Sequence, residues 1–191
     1  MTALETENGR EPPQLVAANL AVGSRLAAAA TAFAFMGPAF AYFYLRSLNS
    51  TGMWRPAGVQ PPQAWGAVIV LLLVGSAGAL ALAVRTARWR TLVGCSLVFG
   101  SAAVAAQCIE YTGLRFGPMS GAYASVFVGW TALSTLFVLA TMLWLETLVA
   151  YGLRHPDAPA SGIRPRLEAL SFYWTFLAGL CVFMWVVLYL A

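Results

Sequence analysis

The sequence contains no lysine, a single histidine, three cysteines and few charges of either sign, with 11 basic and 7 acidic residues in 191. A soluble domain takes about a quarter of its residues from the charged types to coat its surface. Here charged residues make up 9% and apolar residues 60%. The coat is missing, which points to the membrane class. The net charge of +4 arises from arginines scattered between apolar runs. Without a basic patch, nucleic-acid binding has no footing. His155 stands beside Pro156 in a polar stretch, while Cys95, Cys108 and Cys181 each lie inside an apolar run, without CxxC spacing. Haem needs an axial ligand such as His, Cys or Met, and zinc or copper sites usually gather several His or Cys. No such ligand set is evident, and the cysteines read as small apolar side chains. GxSxG, P-loop and GxGxxG segments are also absent, so no residue is assigned a catalytic, cofactor-binding or metal-binding role.

What the chain does have is long continuous apolar runs. A bilayer core about 30 Å thick is spanned by about 20 apolar residues in a helix, and backbone polar groups there must bond internally. The runs do not alternate, which favours helices over barrel strands. Five spans are expected, at about 26–46, 64–85, 91–111, 122–150 and 168–190. The predicted fold is therefore an all-α bundle in one domain, preceded by a flexible tail over 1–21. The fourth span exceeds what a bilayer needs, so its last turns, near Tyr151 and Arg154, emerge into water or the helix tilts. Gly and Pro break residues 47–63 and 112–120, a short turn lies at 86–90, and 152–166 reads as a polar loop. Gly37-Pro38 interrupts span one and predicts a kink.

Arginine placement sets the expected orientation. Arg10, Arg25, Arg85, Arg88, Arg90, Arg154, Arg164 and Arg166 fall on the N-terminal side, and Arg46, Arg55 and Arg115 on the other. The positive-inside rule then predicts a cytoplasmic N-terminus and an outer C-terminus. Arg25, an apolar stretch and Ala39-Phe40-Ala41 mimic a signal peptide with its cleavage site. The apolar run continues through Tyr42-Phe43-Tyr44, which suits a retained span. Arg46 and Arg88, at span ends, are candidates to meet lipid phosphates, although ordinary topology signalling is the preferred reading of each.

Ionisable groups inside spans are costly and are functional candidates by default. Glu110 and Glu146 qualify, and Glu168 opens span five, where a helix N-terminus favours an anion. Gln107 and Glu110 are three residues apart and share a helix face, so one hydrogen-bond network can hold both. Glu110 reads either as a proton or substrate site or, preferentially, as an interfacial anchor paired with Arg115 or another loop arginine. Glu146 can pair with a nearby Arg or a partner subunit. One acid does not make a relay. Small residues repeat every four positions at Gly75, Ala79 and Ala83, and at Ser96 and Gly100. Such faces let membrane helices approach closely.

The order of motifs resembles subunit III of the haem-copper (cytochrome c) oxidases, over about residues 22–190. Tyr42-Phe43-Tyr44-Leu45-Arg46 followed by Trp54-Arg55-Pro56 is similar to the family's first conserved helix and loop. Gln107-Cys108-Ile109-Glu110-Tyr111 resembles its Gln-x-x-Glu-Tyr, and Gly121-Ala122-Tyr123-Ala124-Ser125-Val126-Phe127 its Gly-x-Tyr-Gly-Ser-x-Phe. Tyr173-Trp174-Thr175-Phe176 resembles its Tyr-Trp-His-Phe. The shorter bacterial members have five helices. Departures fall on ionisable positions. Thr31 stands where the family carries Glu, Ser134 and Phe137 replace two His, Thr175 replaces a third His and Ala178 an Asp. The resemblance implies a non-catalytic accessory subunit of a bacterial cytoplasmic-membrane oxidase. Such a subunit binds no haem or copper itself, packs beside catalytic subunit I in a complex that includes subunit II, and holds phospholipid. The implied signature residues are Gln107, Glu110, Tyr111, Tyr123, Ser125, Phe127, Tyr173 and Trp174. The alternatives are an accessory protein of a nitric oxide reductase and a small independent transporter. The latter asks for a polar path or an internal repeat, and no repeat is found.

Overall fold

The computed structural model describes residues 12–49, 54–56, 58–155 and 160–190. Five helices are long and apolar enough to cross a membrane, and the described residues contain no strand. The protein is an all-helical, multi-pass membrane bundle. Helix α1 spans Pro13–Ser47, α2 Gln63–Arg85, α3 Trp89–Gly113, α4 Ala122–Arg154 and α5 Ala160–Trp185, and α5 ends in a wider π-helical turn, Val186–Leu190.

The helix ends follow from local chemistry. Pro13 opens α1, where its missing N–H costs nothing. Arg46, Arg85 and Arg154 sit in the last turns of α1, α2 and α4, where a cation complements the helix dipole. Gly121, at φ 137°, precedes α4 in a backbone region that side chains disfavour. The Tyr123 N–H then bonds the Trp54 carbonyl at 3.2 Å and ties the first loop to the start of α4.

Two expectations on boundaries are corrected. Residues 13–21, read as part of a flexible tail, are helical, because Leu15, Ala17, Ala18, Leu20 and Ala21 are good helix formers once Pro13 has started the turn. Residues 1–11 of that tail lie outside the described residues. Likewise, residues 160–166 belong to α5 rather than to a loop. Ile163 and Leu167, each 1% exposed, dock this segment into the core, and the helix runs through Pro165. Residues 156–159 of the same loop are outside the described residues. Helix α1 continues through Gly37-Pro38.

The packing order is legible from which helix backbones approach one another. Helix α2 lies chiefly against α3 and then α5, α1 rests on α5 and α4, and α3 meets α4. Helix α5 is the most buried span and α1 the least. Ser76 and Ser96 meet at 2.9 Å across α2 and α3, so the small-residue faces do form a close helix pair, with Ala79, Ala83 and Gly100 also buried. Gly75 faces outward instead. A Cβ on Gly152 would lie 3.1 Å from the Trp89 ring, which sets the end of α4 beside the start of α3. A Cβ on Gly66 would lie 2.5 Å from the Tyr189 ring, setting the start of α2 beside the end of α5. The bundle thus has one end carrying Arg25, Arg85, Arg88, Arg90, Arg154, Arg164 and Arg166, and another where Tyr42, Tyr111, Tyr123 and Tyr189 gather. These are called the arginine end and the tyrosine end.

Candidate functional site

The last two turns of α3 place Gln107 and Glu110 on one face, 4% and 1% exposed. Gln107 Nε2 donates to Glu110 Oε2 at 2.8 Å, the shared network expected from their spacing. The second carboxylate oxygen was not assigned from sequence. It accepts from Tyr189 OH at 2.7 Å. The anticipated ion pair with Arg115 or another loop arginine does not form. Among the described residues the one ion pair joins Arg164 and Glu168. Burial explains the difference: a carboxyl group turned into the bundle is reached by interior donors, while Arg115 is exposed.

Tyr189 is positioned by its own backbone surroundings. A helix leaves its last carbonyls without intrahelical donors. At the end of α5 two side chains take them: Gln63 Nε2 donates to the Tyr189 carbonyl at 3.2 Å and Tyr123 OH to the Leu188 carbonyl at 2.6 Å. Only a glycine at position 66 leaves room for the Tyr189 ring against α2. Phe127, fully buried, meets Tyr189 edge-on at 5.4 Å and stacks with Tyr123 at 6.0 Å. Above Tyr123 lies the Arg55 guanidinium, 4.1 Å from the ring centroid, with Nε bonded to the Val59 carbonyl at 3.2 Å. The tyrosine end is therefore closed by an arginine over an aromatic face, a favourable placement for a cation, while the acid beneath is held by neutral donors.

The remaining signature residues divide. Tyr111, next to Glu110, turns to another face, and its OH donates to Thr131 Oγ1 at 2.8 Å. Ser125 Oγ bonds the Pro118 and Gly121 carbonyls and closes the turn before α4. Tyr173 and Trp174 belong to the middle of the bundle. Thr31 gives its hydrogen to the Ala27 carbonyl, so Tyr173 OH donates to Thr31 Oγ1, at 2.9 Å. Trp174 Nε1 donates to Ser76 Oγ at 2.9 Å, and Ser76 Oγ donates to the Ser96 carbonyl at 2.6 Å. Gln107, Glu110, Tyr123 and Phe127 thus converge on Tyr189, Tyr111 adjoins them, and Tyr173 and Trp174 do not join them.

The positions that depart from the resemblance are filled by packing. Besides Thr31, Ser134 Oγ donates to the Thr131 carbonyl at 2.8 Å, and the rings of Phe137 and Phe35 lie 6.0 Å apart. Ala178 is buried and Thr175 exposed. No three His, Cys, Asp or Glu side chains among the described residues are placed to share a metal ion.

Arg46 and Arg88 lie at opposite ends of the bundle and do not form one site. Arg46 bonds Tyr42 OH at 3.2 Å, and Arg88 precedes α3. A larger feature at the arginine end escaped sequence reading. A groove of about 530 Å³ opens there, lined by Trp144, Tyr151, Arg154, His155 and Arg166 among others. Tyr151 stacks on His155 at 4.6 Å and Arg166 lies 5.9 Å from the Tyr151 ring. The signal was present in Tyr151-x-x-Arg154-His155, at the last turns of span four, and Arg164-Pro165-Arg166, but reading 152–166 as one polar loop concealed that two helices bring them together. Glu146 is exposed on α4. Glu168 is not at a helix start, since α5 begins eight residues earlier; it pairs with Arg164 at 2.9 Å instead.

No protein-family model matches the chain, and a search of curated proteins finds no match.

Proposed function

We propose that this protein is a non-catalytic, subunit III-like accessory component of a respiratory terminal oxidase. In this reading it lies in a bacterial cytoplasmic membrane with its N-terminus and arginine end in the cytoplasm. It packs beside a catalytic subunit I that carries the haem and copper, in a complex with subunit II, and stabilises that assembly. The observation that supports this best is the convergence at the tyrosine end. Motif segments far apart in the sequence, Gln107–Glu110 and Tyr123–Phe127, meet there around Tyr189. Both carboxyl oxygens of Glu110 and the hydroxyls of Tyr123 and Tyr189 are bonded inside the bundle, as a structural core demands, rather than presented to a substrate. The arginines number eight on one side against three on the other, which supports the orientation.

Lipid binding forms part of the proposal. The groove at the arginine end offers Arg154, His155 and Arg166 beside Tyr151 and Trp144, a chemistry that suits a phospholipid headgroup at the level where interfacial aromatics and arginines collect.

The test is purification of the tagged protein from its native membrane in mild detergent, with mass spectrometry and an optical spectrum of the eluate. Co-elution of a haem-copper subunit I with oxygen-reducing activity is the expected result. Nitric oxide turnover without oxygen reduction would move the protein to the accessory set of a nitric oxide reductase. A colourless chain eluting alone, under conditions that keep other oxidases intact, would overturn the proposal, and saturable transport in liposomes would then replace it.

A further inference from the structure

Between α2, α3, α4 and α5 lies a small, partly open cavity lined by Ile69, Leu73, Gln107, Ser134, Thr135 and Cys181 among others, with about 20 Å³ of space for the centre of a water molecule. About 10–15 Å³ on that measure admits one water, provided that two to four polar groups face it. The space here suits one water and is too small for a lipid chain or an organic ligand.

The polar lining is unusual in its composition. Gln107 is 4% exposed, and its Nε2 is committed to Glu110. Its amide oxygen has no hydrogen-bond partner among the described residues, and unlike Trp130 Nε1 and Trp185 Nε1 it is not sealed from space that a water could reach. An acceptor placed there gains from a donor. Ser134 Oγ and Thr135 Oγ1 each donate to the Thr131 carbonyl, both at 2.8 Å. A hydroxyl has one hydrogen, so both can now only accept. The cavity wall therefore carries residues with acceptor capacity from two helices, and its one spare donor is the weak Cys181 thiol. Water is the smallest molecule that donates twice. A small cation would find neutral oxygens alone, because the Glu110 carboxylate is taken by Tyr189 and Gln107.

We propose that this cavity is a binding site for one ordered water, which donates to Gln107 Oε1 and to the hydroxyl of Ser134 or Thr135. The water converts two networks into one. On α3 the network runs from Tyr189 through Glu110 to Gln107. On α4, Ser134 and Thr135 share the Thr131 carbonyl, and Thr131 Oγ1 accepts from Tyr111. Joined by the water, the buried acid is coupled to the α4 hydroxyls across the middle of the bundle.

Two measurements on the full chain decide this. In a density map of the protein fine enough to resolve ordered waters, one compact peak is expected within hydrogen-bond distance of Gln107 and of Ser134 or Thr135. An empty cavity, or density extended like a hydrocarbon chain, would overturn the proposal. The second is a double-mutant cycle read by thermal midpoints, with Gln107→Leu on one side and the pair Ser134→Ala and Thr135→Val on the other. If one water links the two sides, the combined variant loses clearly less than the sum of the separate shifts. Strictly additive shifts would sink the idea, and so would a lower midpoint when sodium is replaced by a bulky organic cation, since the site would then hold a cation. Should Gln107→Leu fail to fold, the density map of the unaltered protein still decides.

Discussion

At the tyrosine end an acid 1% exposed has both carboxyl oxygens bonded, with Tyr123 and Gln63 covering the last carbonyls of α5. At the arginine end, Arg154, His155 and Arg166 border an open groove of about 530 Å³. The same chain thus treats its polar groups in opposite ways. The difference follows from helix lengths. Helices α2 and α3 have 23 and 25 residues, near the length a bilayer needs, whereas α1 and α4 have 35 and 33. At the tyrosine end the termini of α2, α4 and α5 bond and pack on one another. At the arginine end the surplus turns of α1 and α4 line the groove, through Leu20 on α1 and Tyr151 and Arg154 on α4. One end is therefore expected to govern stability and the other to remain free for a ligand.

The largest effect is expected where that contrast is strongest. Glu110→Ala removes the acceptor for two buried donors, Tyr189 OH and Gln107 Nε2, and should lower stability by about 2–6 kcal/mol, each stranded donor costing about 1–3 kcal/mol. Unfolding titrations in mixed micelles would measure it. Glu110→Gln should lose much less. Its amide can still accept from Tyr189, and a flip of Gln107 lets that side chain accept instead of donate. Equal losses for the two variants would contradict the neutral-donor geometry. Next comes Gly66→Ala. Its new Cβ meets the Tyr189 ring at 2.5 Å and Trp185 at 2.9 Å, so the terminal turn of α5 must shift, at a cost of about 1–3 kcal/mol. Combined with Glu110→Ala, it should cost less than the sum, because the first change has already freed Tyr189.

Away from both ends the expected effect is smaller. Trp174→Phe removes the indole donor to Ser76 while keeping the ring buried. Ser76 Oγ still donates to the Ser96 carbonyl. Hydrogen bonds between membrane helices average about 0.6 kcal/mol, and a loss of that size is expected. A loss as large as that of Glu110→Ala would mean that the middle of the bundle, rather than its tyrosine end, holds the helices together.

How much of this was legible in the sequence depends on the range of each signal. The number and type of spans followed from apolar run length, which bilayer thickness fixes directly. The pairing of Gln107 with Glu110 followed from a spacing of three within one helix. The choice of Tyr189 as second partner did not, because it needs the end of α5 to sit beside the end of α3, and nothing local encodes that. The same limit hid the groove. Arg154 and Arg166 are read as loop residues until Ile163 and Leu167 are known to be buried, which makes the preceding turns of α5 helical. The small-residue pattern of α2 was correct at Ala79 and Ala83, which are buried, and missed at Gly75. Ser76 makes the contact while Gly75 faces outward, since periodicity finds a face and not the residue at its centre.

The smallest effect on stability is expected at the arginine end, and it separates the two roles most cleanly. Arg154→Gln with Arg166→Gln alters two exposed side chains, and surface changes of this kind usually stay within about 0.5 kcal/mol. Unfolding should therefore be nearly unchanged, while co-purifying anionic phospholipid, quantified by mass spectrometry, should fall several-fold against the unaltered protein. Arg85→Gln, a cation at the same end but outside the groove, should leave lipid content as it was. Glu110→Ala should give the reverse pattern, with lipid retained in the fraction that stays folded. If the arginine pair lowered stability as far as Glu110→Ala does, the groove would be a structural joint like the tyrosine end, and the division of labour between the two ends would fail. If both properties stayed unchanged, the groove would hold no headgroup, and the surplus length of α1 and α4 would need a partner protein as its explanation.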